Sequence, residues 1–385
     1  MSDTRKHRVD DLDRLVSELH QITSARSTPI TGDTPDLADW LRQVRDQDGS
    51  DLLLVANLPP LARVKGQVSR LRGDSLSGED IEAAVSPIVP TRLRDRYRDG
   101  DAVDLAFTLK GLGRFRMNLH RERGRPAAAI RALPMRVPRV ADLHFSHDIA
   151  LLAALPRGLV LVCGPTGSGK TTTLAALIAE INASHARHIV TVEDPIEYEH
   201  VHGRSVIEQV EIGIDAPDFP TALRAAMRQA PDVIVIGEMR DPETMRIALA
   251  AAETGHLVLA TVHATDAAAA ISRIADAFPV ERQNAVRQEL AMALAAVLTQ
   301  SLVQTKTRSL VPVAELLLVS YGARQHIRKN ALQHLNQEIT ITRKAGSFTS
   351  GESLAKLVLA GTLDRGDAIV RAAHPEELES LLRGA

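Results

Sequence analysis

The 385-residue sequence holds a single cysteine, Cys163, so no internal disulfide can form and no cysteine-based zinc site is available. At the end of an apolar run, that thiol reads as packed rather than reactive. Aromatic residues make up 3% of the chain and the formal net charge is -2. Neither the stacking platforms nor the bulk positive field of a nucleic-acid binder is present, and no nucleic acid is expected as a partner. No stretch approaches the roughly eighteen consecutive apolar residues of a membrane span. The polar opening Met1-Ser-Asp-Thr-Arg-Lys-His-Arg8 is unlike a secretory leader. The expectation is a cytoplasmic protein that meets a membrane only through partners or a surface patch. A hydrophobic content of 44% and a charged content of 24% are those of an ordinary globular protein, and the length allows two or three domains.

What is present is more informative. Residues 164–171 read Gly164-Pro165-Thr166-Gly167-Ser168-Gly169-Lys170-Thr171, directly after the apolar run Gly158–Cys163 and before the helical pattern Thr172–Ile181. In such a loop the glycines let successive backbone N–H groups wrap a triphosphate. Lys170 then reaches the β and γ phosphates, and the Thr171 hydroxyl ligates Mg²⁺. The strand before and the helix after supply the context that the motif requires. The chain is expected to bind ATP with Mg²⁺, with Thr172 beside the cradle at the start of the helix.

Along the chain, residues 1–36 read as an extension. Val9, Leu12, Leu15, Val16 and Leu19 are spaced for a short amphipathic helix, and Ser24–Pro35 for a polar linker. Residues 37–136 form a mixed unit, with strands at Asp51–Ala56, Leu61–Val64, Val103–Leu109, Arg114–Leu119 and Ala127–Leu133. A helix is expected over Ser77–Val89, capped by Ser77, which makes this an α+β domain. Residues 137–147, next to Pro134 and Pro138, serve as a linker. From 148 to 385 the pattern becomes α/β. Apolar strands Leu159–Cys163, Ile189–Val192, Val233–Ile236 and Leu257–Val262 alternate with helices at 170–184, 218–229, 242–254 and 265–276. This predicts a parallel sheet with helices on both faces and ligands at the carboxyl ends of the strands. The remainder, 281–385, reads as mostly helical.

Several polar residues fall at those strand ends. Glu193-Asp194-Pro195-Ile196-Glu197 follows the strand His188–Val192, where carboxylates can orient Mg²⁺ or polarise a water for attack on the γ-phosphate. Glu238 ends the strand Val233–Ile236 and is the candidate to stand against the metal, whereas Asp232, at its start, reads as structural. Arg240 and Asp241 follow at once and are expected to form an ion pair at the site or across a subunit boundary. His256 and His263 bracket the fourth strand; seven residues apart they lie some 20 Å from each other and cannot share a metal. Of the two, His263 is placed to sense the γ-phosphate. Arg114, Arg116 and Arg131 sit on strands of the first domain, and a neighbouring domain or subunit is one source of the arginine that γ-phosphate chemistry calls for.

Taken together these residues resemble the secretion-ATPase superfamily, and within it the type IV pilus retraction ATPases, the PilT-like family. The resemblance spans about residues 37–385. It is carried by Ser50-Asp-Leu-Leu-Leu with Leu58-Pro-Pro, by Gly113-Arg-Phe-Arg-Met-Asn118 and by the phosphate loop. It continues through Glu193-Asp-Pro-Ile-Glu197, Gly237-Glu-Met-Arg-Asp241 and Thr254-Gly-His256 with His263. It implies a PAS-like first domain, a RecA-like P-loop second domain and a homo-hexameric ring acting on an inner-membrane platform protein. It also implies that Glu197 activates water, that Glu238 stands near Mg²⁺, that His256 and His263 form a histidine box, and that Arg116 and Arg131, with Arg114, reach the nucleotide. Gly322-Ala-Arg-Gln-His-Ile-Arg-Lys329 resembles a diverged retraction motif that keeps Arg324, Ile327 and Arg328. Leu53 stands where the family has a histidine, and Asn336–Gly351 is unusually polar.

The reading is a Mg²⁺-ATP-hydrolysing motor for pilus retraction. An extension, secretion or conjugation ATPase of the same superfamily and a nucleotide-binding accessory ring subunit stand as its alternatives.

Overall fold

The computed structural model describes residues 35–383. The helix expected over Val9–Leu19, with the rest of the extension up to residue 34, lies outside the described residues. Contacts divide the chain into two units. One runs through Arg136 and takes in Pro195–Glu199; the other holds Val137–Asp194 and His200 onward.

In the first unit, α1 (Pro35–Asp46) buries Leu37, Trp40, Leu41 and Val44, the one-sided spacing of an amphipathic helix. There follow β1 (Gly49–Val55), β2 (Leu61–Val64), β3 (Gln67–Arg70) and α2 (Gly78–Val85). The start of α2 is fixed by a reciprocal cap between Ser77 and Asp80. Its α-helical part stops short of the expected Val89, because Pro87 has no N–H to continue the ladder and Ser86–Ile88 tightens into a 3₁₀ turn. Helix α3 (Thr91–Arg98) leads to β4 (Val103–Leu109), β5 (Gly113–Glu122) and β6 (Arg125–Ala132). The six strands form one antiparallel sheet in the order β3-β2-β1-β6-β5-β4. One face carries Leu52, Leu54, Phe115, Met117 and Ile130 into the core. The pleat turns Asp51, Arg116 and Arg131 to the other.

In the second unit, two 3₁₀ turns (Val140–Leu143 and Ala150–Ala154) lead into β7 (Gly158–Cys163), α4 (Lys170–Ser184), β8 (His188–Glu193) and β9 (Val206–Glu211). Next come α5 (Phe219–Ala226), β10 (Val233–Ile236), α6 (Pro242–Glu253), β11 (Leu257–Val262), α7 (Ala267–Asp276) and α8 (Val280–Ala293). Strands β7, β10 and β11 are buried along their whole length, which explains why they read as unbroken apolar runs. Alternate residues feed opposite faces: Leu159, Leu161 and Cys163 pack with α6–α8, while Val160 and Val162 pack with α4.

The remainder is mostly helical, as expected, but it also holds two strands that the expectation lacked. Helix α8 passes without a loop into β12 (Leu294–Gln304), and β13 (Leu310–Leu318) returns beside it. The sheet order is β13-β12-β7-β11-β10-β8-β9, parallel except for the antiparallel β12–β13 pair. Leu294-Ala-Ala-Val-Leu has the composition of a helix, and burial beside β7 overrides that local preference. Beyond it the chain is helical: α9 (Tyr321–Arg328), α10 (Leu335–Ile341), α11 (Ser350–Leu359), α12 (Arg365–Arg371) and α13 (Pro375–Arg383). No described helix is long and apolar enough to cross a membrane.

Candidate active site

Parallel register brings the chemistry of the second unit to one edge of its sheet. Cys163, the last residue of β7, lies beside Val262 of β11 and Thr299 of β12, and Ile236 of β10 lies beside Val192 of β8. The loop 164–169, Glu193, Glu238 and His263 therefore all leave the sheet at its carboxyl end.

The loop wraps tightly. Gly164 has φ +150°, and a Cβ there would lie 2.2 Å from the Gln300 carbonyl oxygen, so only glycine fits. Gly169, at φ +87°, is the N-cap of α4 and puts Lys170 and Thr171 in the first turn of a fifteen-residue helix. Pro165, Thr166 and Gly167 are exposed, Ser168 and Lys170 are buried, and Thr171 and Thr172 are half-buried. Lys170 Nζ donates to the carbonyls of Gly164 (3.0 Å) and Pro165 (2.9 Å). Burial lowers the Lys170 pKa, and the negative charge of Glu238 opposes that shift. The ammonium is thus partly desolvated at the mouth of a helix N-terminus, an arrangement that favours an anion.

Glu238 follows β10 and is four-fifths buried. Arg240 Nη2 lies 2.8 Å from its Oε2 and His263 Nε2 3.2 Å from its Oε1. Burial acts to raise its pKa, but the hydrogen bond and charge of Arg240, with His263 and Lys170, outweigh it and hold the carboxyl below its ordinary value. The result is a firmly ionised carboxylate electrically coupled to the loop lysine. Thr171 and Glu238 are hard oxygen donors of the kind Mg²⁺ prefers when phosphates complete its shell, so these residues fit the metal. Arg240 thus pairs with Glu238, not with Asp241. Asp241 caps α6 instead, accepting from the Thr244 N–H at 2.8 Å.

Two other expected residues of this unit have different surroundings. Glu193 shares the carboxyl edge, but its Oε1 accepts from Thr191 (2.7 Å) and from Gln209 (3.0 Å), which ties it to β9. His256 precedes β11 and lies at the opposite edge, where the Gly158 N–H donates to its carbonyl and its own Nδ1 is 2.9 Å from the Ala251 carbonyl. Within this chain it does not join the loop. At that same far edge the Asp232 N–H donates to the His188 carbonyl and its Oδ2 accepts from the His188 N–H, both at 2.8 Å, a structural role.

The first unit holds the arginines and Glu197. Register places Asp51, Arg131 and Arg116 in a row across β1, β6 and β5. Arg131 Nε donates to Asp51 Oδ1 at 2.9 Å, and Arg116 lies 3.7 Å from Asp104. Arg114 Nε donates to the Ile196 carbonyl at 2.8 Å, and its Nη1 is 3.4 Å from Glu199, so this arginine secures the segment 195–199. Glu197 itself is half-buried. Burial raises its pKa above the ordinary carboxylate value, and Arg116 and then Arg131 pull it back down. A carboxylate of raised basicity beside two guanidinium groups is equipped to accept a proton next to developing negative charge.

Sequence reasoning missed one residue at the loop. Gln300 of β12 is buried, donates from Nε2 to the Ser168 carbonyl (2.7 Å) and accepts from Thr173 Oγ1 (2.8 Å). Its signal was hidden by the helical reading of that segment. The diverged segment 322–329 forms α9. There Ile327 is buried, and Arg324 donates to the Ala291 and Met292 carbonyls at the end of α8, so two of the three retained residues have structural work to do.

Comparison with known proteins agrees with this geometry. A family model described as Type II/IV secretion system protein matches residues 140–373. The chain is 37% identical over 341 residues to the type IV pilus retraction ATPase PilT of Pseudomonas aeruginosa, a match covering 89% of this chain and 99% of that protein. It is 39% identical over 325 residues to a twitching motility protein of Neisseria gonorrhoeae, covering 84% and 87%. A crystal structure of the pilus retraction motor PilT with bound ADP matches with a TM-score of 0.81 at 37% identity, over 88% of this chain and 98% of that one.

Proposed function

The chain belongs to the type II/IV secretion system protein family as a PilT-like ATPase, and on that premise we propose that it hydrolyses Mg²⁺-ATP to power pilus retraction. The observation that carries the reading is the phosphate loop with Lys170 buried at its rim and Glu238 held ionised by Arg240 and His263. Lys170 and the helix N-terminus hold the phosphates, and the ordered backbone of the loop does so without reorganisation when charge develops. Thr171 and Glu238 would hold the Mg²⁺, which when bound would supply Lewis-acid stabilisation of the phosphoryl group. His263, against Glu238, keeps that carboxylate oriented.

In this proposal Glu197 takes the proton of the attacking water, and Arg116 and Arg131 neutralise charge at the γ-phosphate. Such an arginine contributes on the order of 10³-fold or more in related phosphoryl-transfer enzymes. The proposal extends to a homo-hexameric ring, cytoplasmic and peripheral to the inner membrane, acting on a platform protein. It also takes the first unit as PAS-like and the second as RecA-like, readings supported by the antiparallel sheet of the one and the loop-to-helix geometry of the other.

Direction of motion is tested in cells. Deleting the gene and restoring it with the wild type or with Lys170→Ala should leave surface pili in place but abolish twitching in both the deletion and the variant. Loss of the pili themselves would point instead to an extension motor of the same superfamily.

A further inference from the structure

Ser168 and Thr173 bracket the start of α4, and both are almost fully buried, at 2% and 1% exposure. The Ser168 carbonyl can only accept a hydrogen bond, and the Thr173 hydroxyl points its proton at the same neighbour. That neighbour is the side chain of Gln300, itself buried on β12, which donates to one and accepts from the other. Because a carbonyl must be met by a donor, the amide orientation is fixed by its surroundings. The Gln300 backbone is pressed against the loop as well, since its carbonyl oxygen occupies the space a Cβ on Gly164 would need.

We propose that Gln300 is a positioning residue for nucleotide binding: it staples the phosphate loop to the first turn of α4 and aims the backbone of that loop at the phosphates. In a trans peptide the carbonyl and the following N–H point in opposite directions. With the Ser168 carbonyl drawn toward β12, the Gly169 N–H faces away from β12, on the side where the loop and the helix N-terminus present their amides. The Thr173 contact fixes the same side chain to the helix, so loop and helix move together. Among the near-isosteric side chains of glutamine, glutamate and methionine, only the amide both donates and accepts at neutral pH. A carboxylate in its place sets an oxygen against the Ser168 carbonyl, and a methionine leaves both buried groups unsatisfied.

This inference rests on the ATPase reading, and the test separates the two. Affinity of the purified full-length protein for a fluorescent ADP analogue with Mg²⁺ is measured between about pH 5 and about pH 8, beside ATP turnover, for the wild type, Gln300→Met and Gln300→Glu. Each affinity is referred to the wild type at the same pH. Loss of two hydrogen bonds predicts weaker binding and a higher KM by about tenfold to thirtyfold in Gln300→Met, with a smaller change in kcat. Gln300→Glu should bind as weakly near pH 8 and recover as the pH falls, because a protonated carboxyl restores a donor to the Ser168 carbonyl while its other oxygen accepts from Thr173. An amide with no part in positioning the loop would show neither the affinity defect nor its recovery. Gln300→Met binding indistinguishable from wild type, or a Gln300→Glu defect independent of pH, would overturn the proposal. Should Gln300→Met fail to fold, the pH series of Gln300→Glu decides alone. Wild-type protein that binds the analogue without hydrolysing ATP would refute the motor reading and leave the affinity series to decide Gln300.

Discussion

Replacing Gly164 by alanine adds one methyl group to the tightest point of the molecule's phosphate loop. The new Cβ would lie 2.2 Å from the Gln300 carbonyl oxygen and 2.5 Å from Ser168 Oγ, at a backbone φ of +150° that side-chain-bearing residues rarely adopt. Backbone strain of that kind costs about 1–3 kcal/mol, and overpacking a close-packed site about 1–3 kcal/mol more. A combined loss near 4 kcal/mol is a large share of a typical domain's stability and corresponds to a fall in Tm of about 8–16 °C for a unit of this size. Gly167 supplies the control. Its φ is +78° but nothing lies within 4 Å of its would-be Cβ, so alanine there meets only the backbone penalty. That penalty is about 1 kcal/mol, or about 2–4 °C. Thermal unfolding without nucleotide, followed at one heating rate for the wild type and both variants, measures the contrast. If Gly164→Ala unfolded at the same temperature as Gly167→Ala, the close packing of β12 against the loop would be wrong, and with it the reasoning that fixes the loop's shape.

Other expectations concern charge. Burial raises the Glu197 pKa, so the acidic limb of kcat/KM for ATP should lie above the ordinary glutamate range, and activity should be lost as the pH falls through it. Arg116→Ala removes a charge that opposes the shift, so that limb should move to still higher pH; an unmoved limb would contradict the assignment of Glu197 as proton acceptor. Glu315 on β13 is pushed up to about 7, first by burial and further by Asp266 and Glu377, against a hydrogen bond from the Ser350 N–H. A carboxyl whose folded pKa is raised holds its proton longer in the native state, so stability should fall as the pH rises from about 4.5 to about 7 and level off above. Glu315→Gln keeps an acceptor for Ser350 and should stabilise the protein by roughly 2–3 kcal/mol above about pH 7, with little effect near pH 4.5, as read by urea unfolding at the two pH values.

How much of this was legible in the sequence varies with how local each signal is. The phosphate loop, its strand and helix α4 are specified by contiguous residues, since the glycines, Lys170 and the apolar run leave little else they could form. Strands β7, β10 and β11 stood out because burial on both faces erases polar interruptions. By contrast β12 and β13 depend on a neighbour far away in the chain. Leu294-Ala-Ala-Val-Leu is a strand because β7 offers an unpaired edge, and no local pattern encodes that. Gln300 disappeared with them. Glu238 and His263 could be placed by position alone, because each follows a contiguous apolar strand that ends just before it. The partner of Arg240 was missed because the cap role of Asp241 only follows once Pro242 starts α6. His256 was grouped with His263 by resemblance, although a strand's length separates the two ends. The row Asp51–Arg131–Arg116 required a cross-strand register that three separate stretches of sequence do not announce.

The most direct test of the central claim is steady-state Mg²⁺-ATP hydrolysis by the purified protein beside Lys170→Ala and Glu197→Gln. The wild type should turn over ATP and both substitutions should abolish that turnover, with ADP binding lost in Lys170→Ala and retained in Glu197→Gln. Wild-type protein that binds nucleotide but turns over no faster than the two variants would contradict that claim.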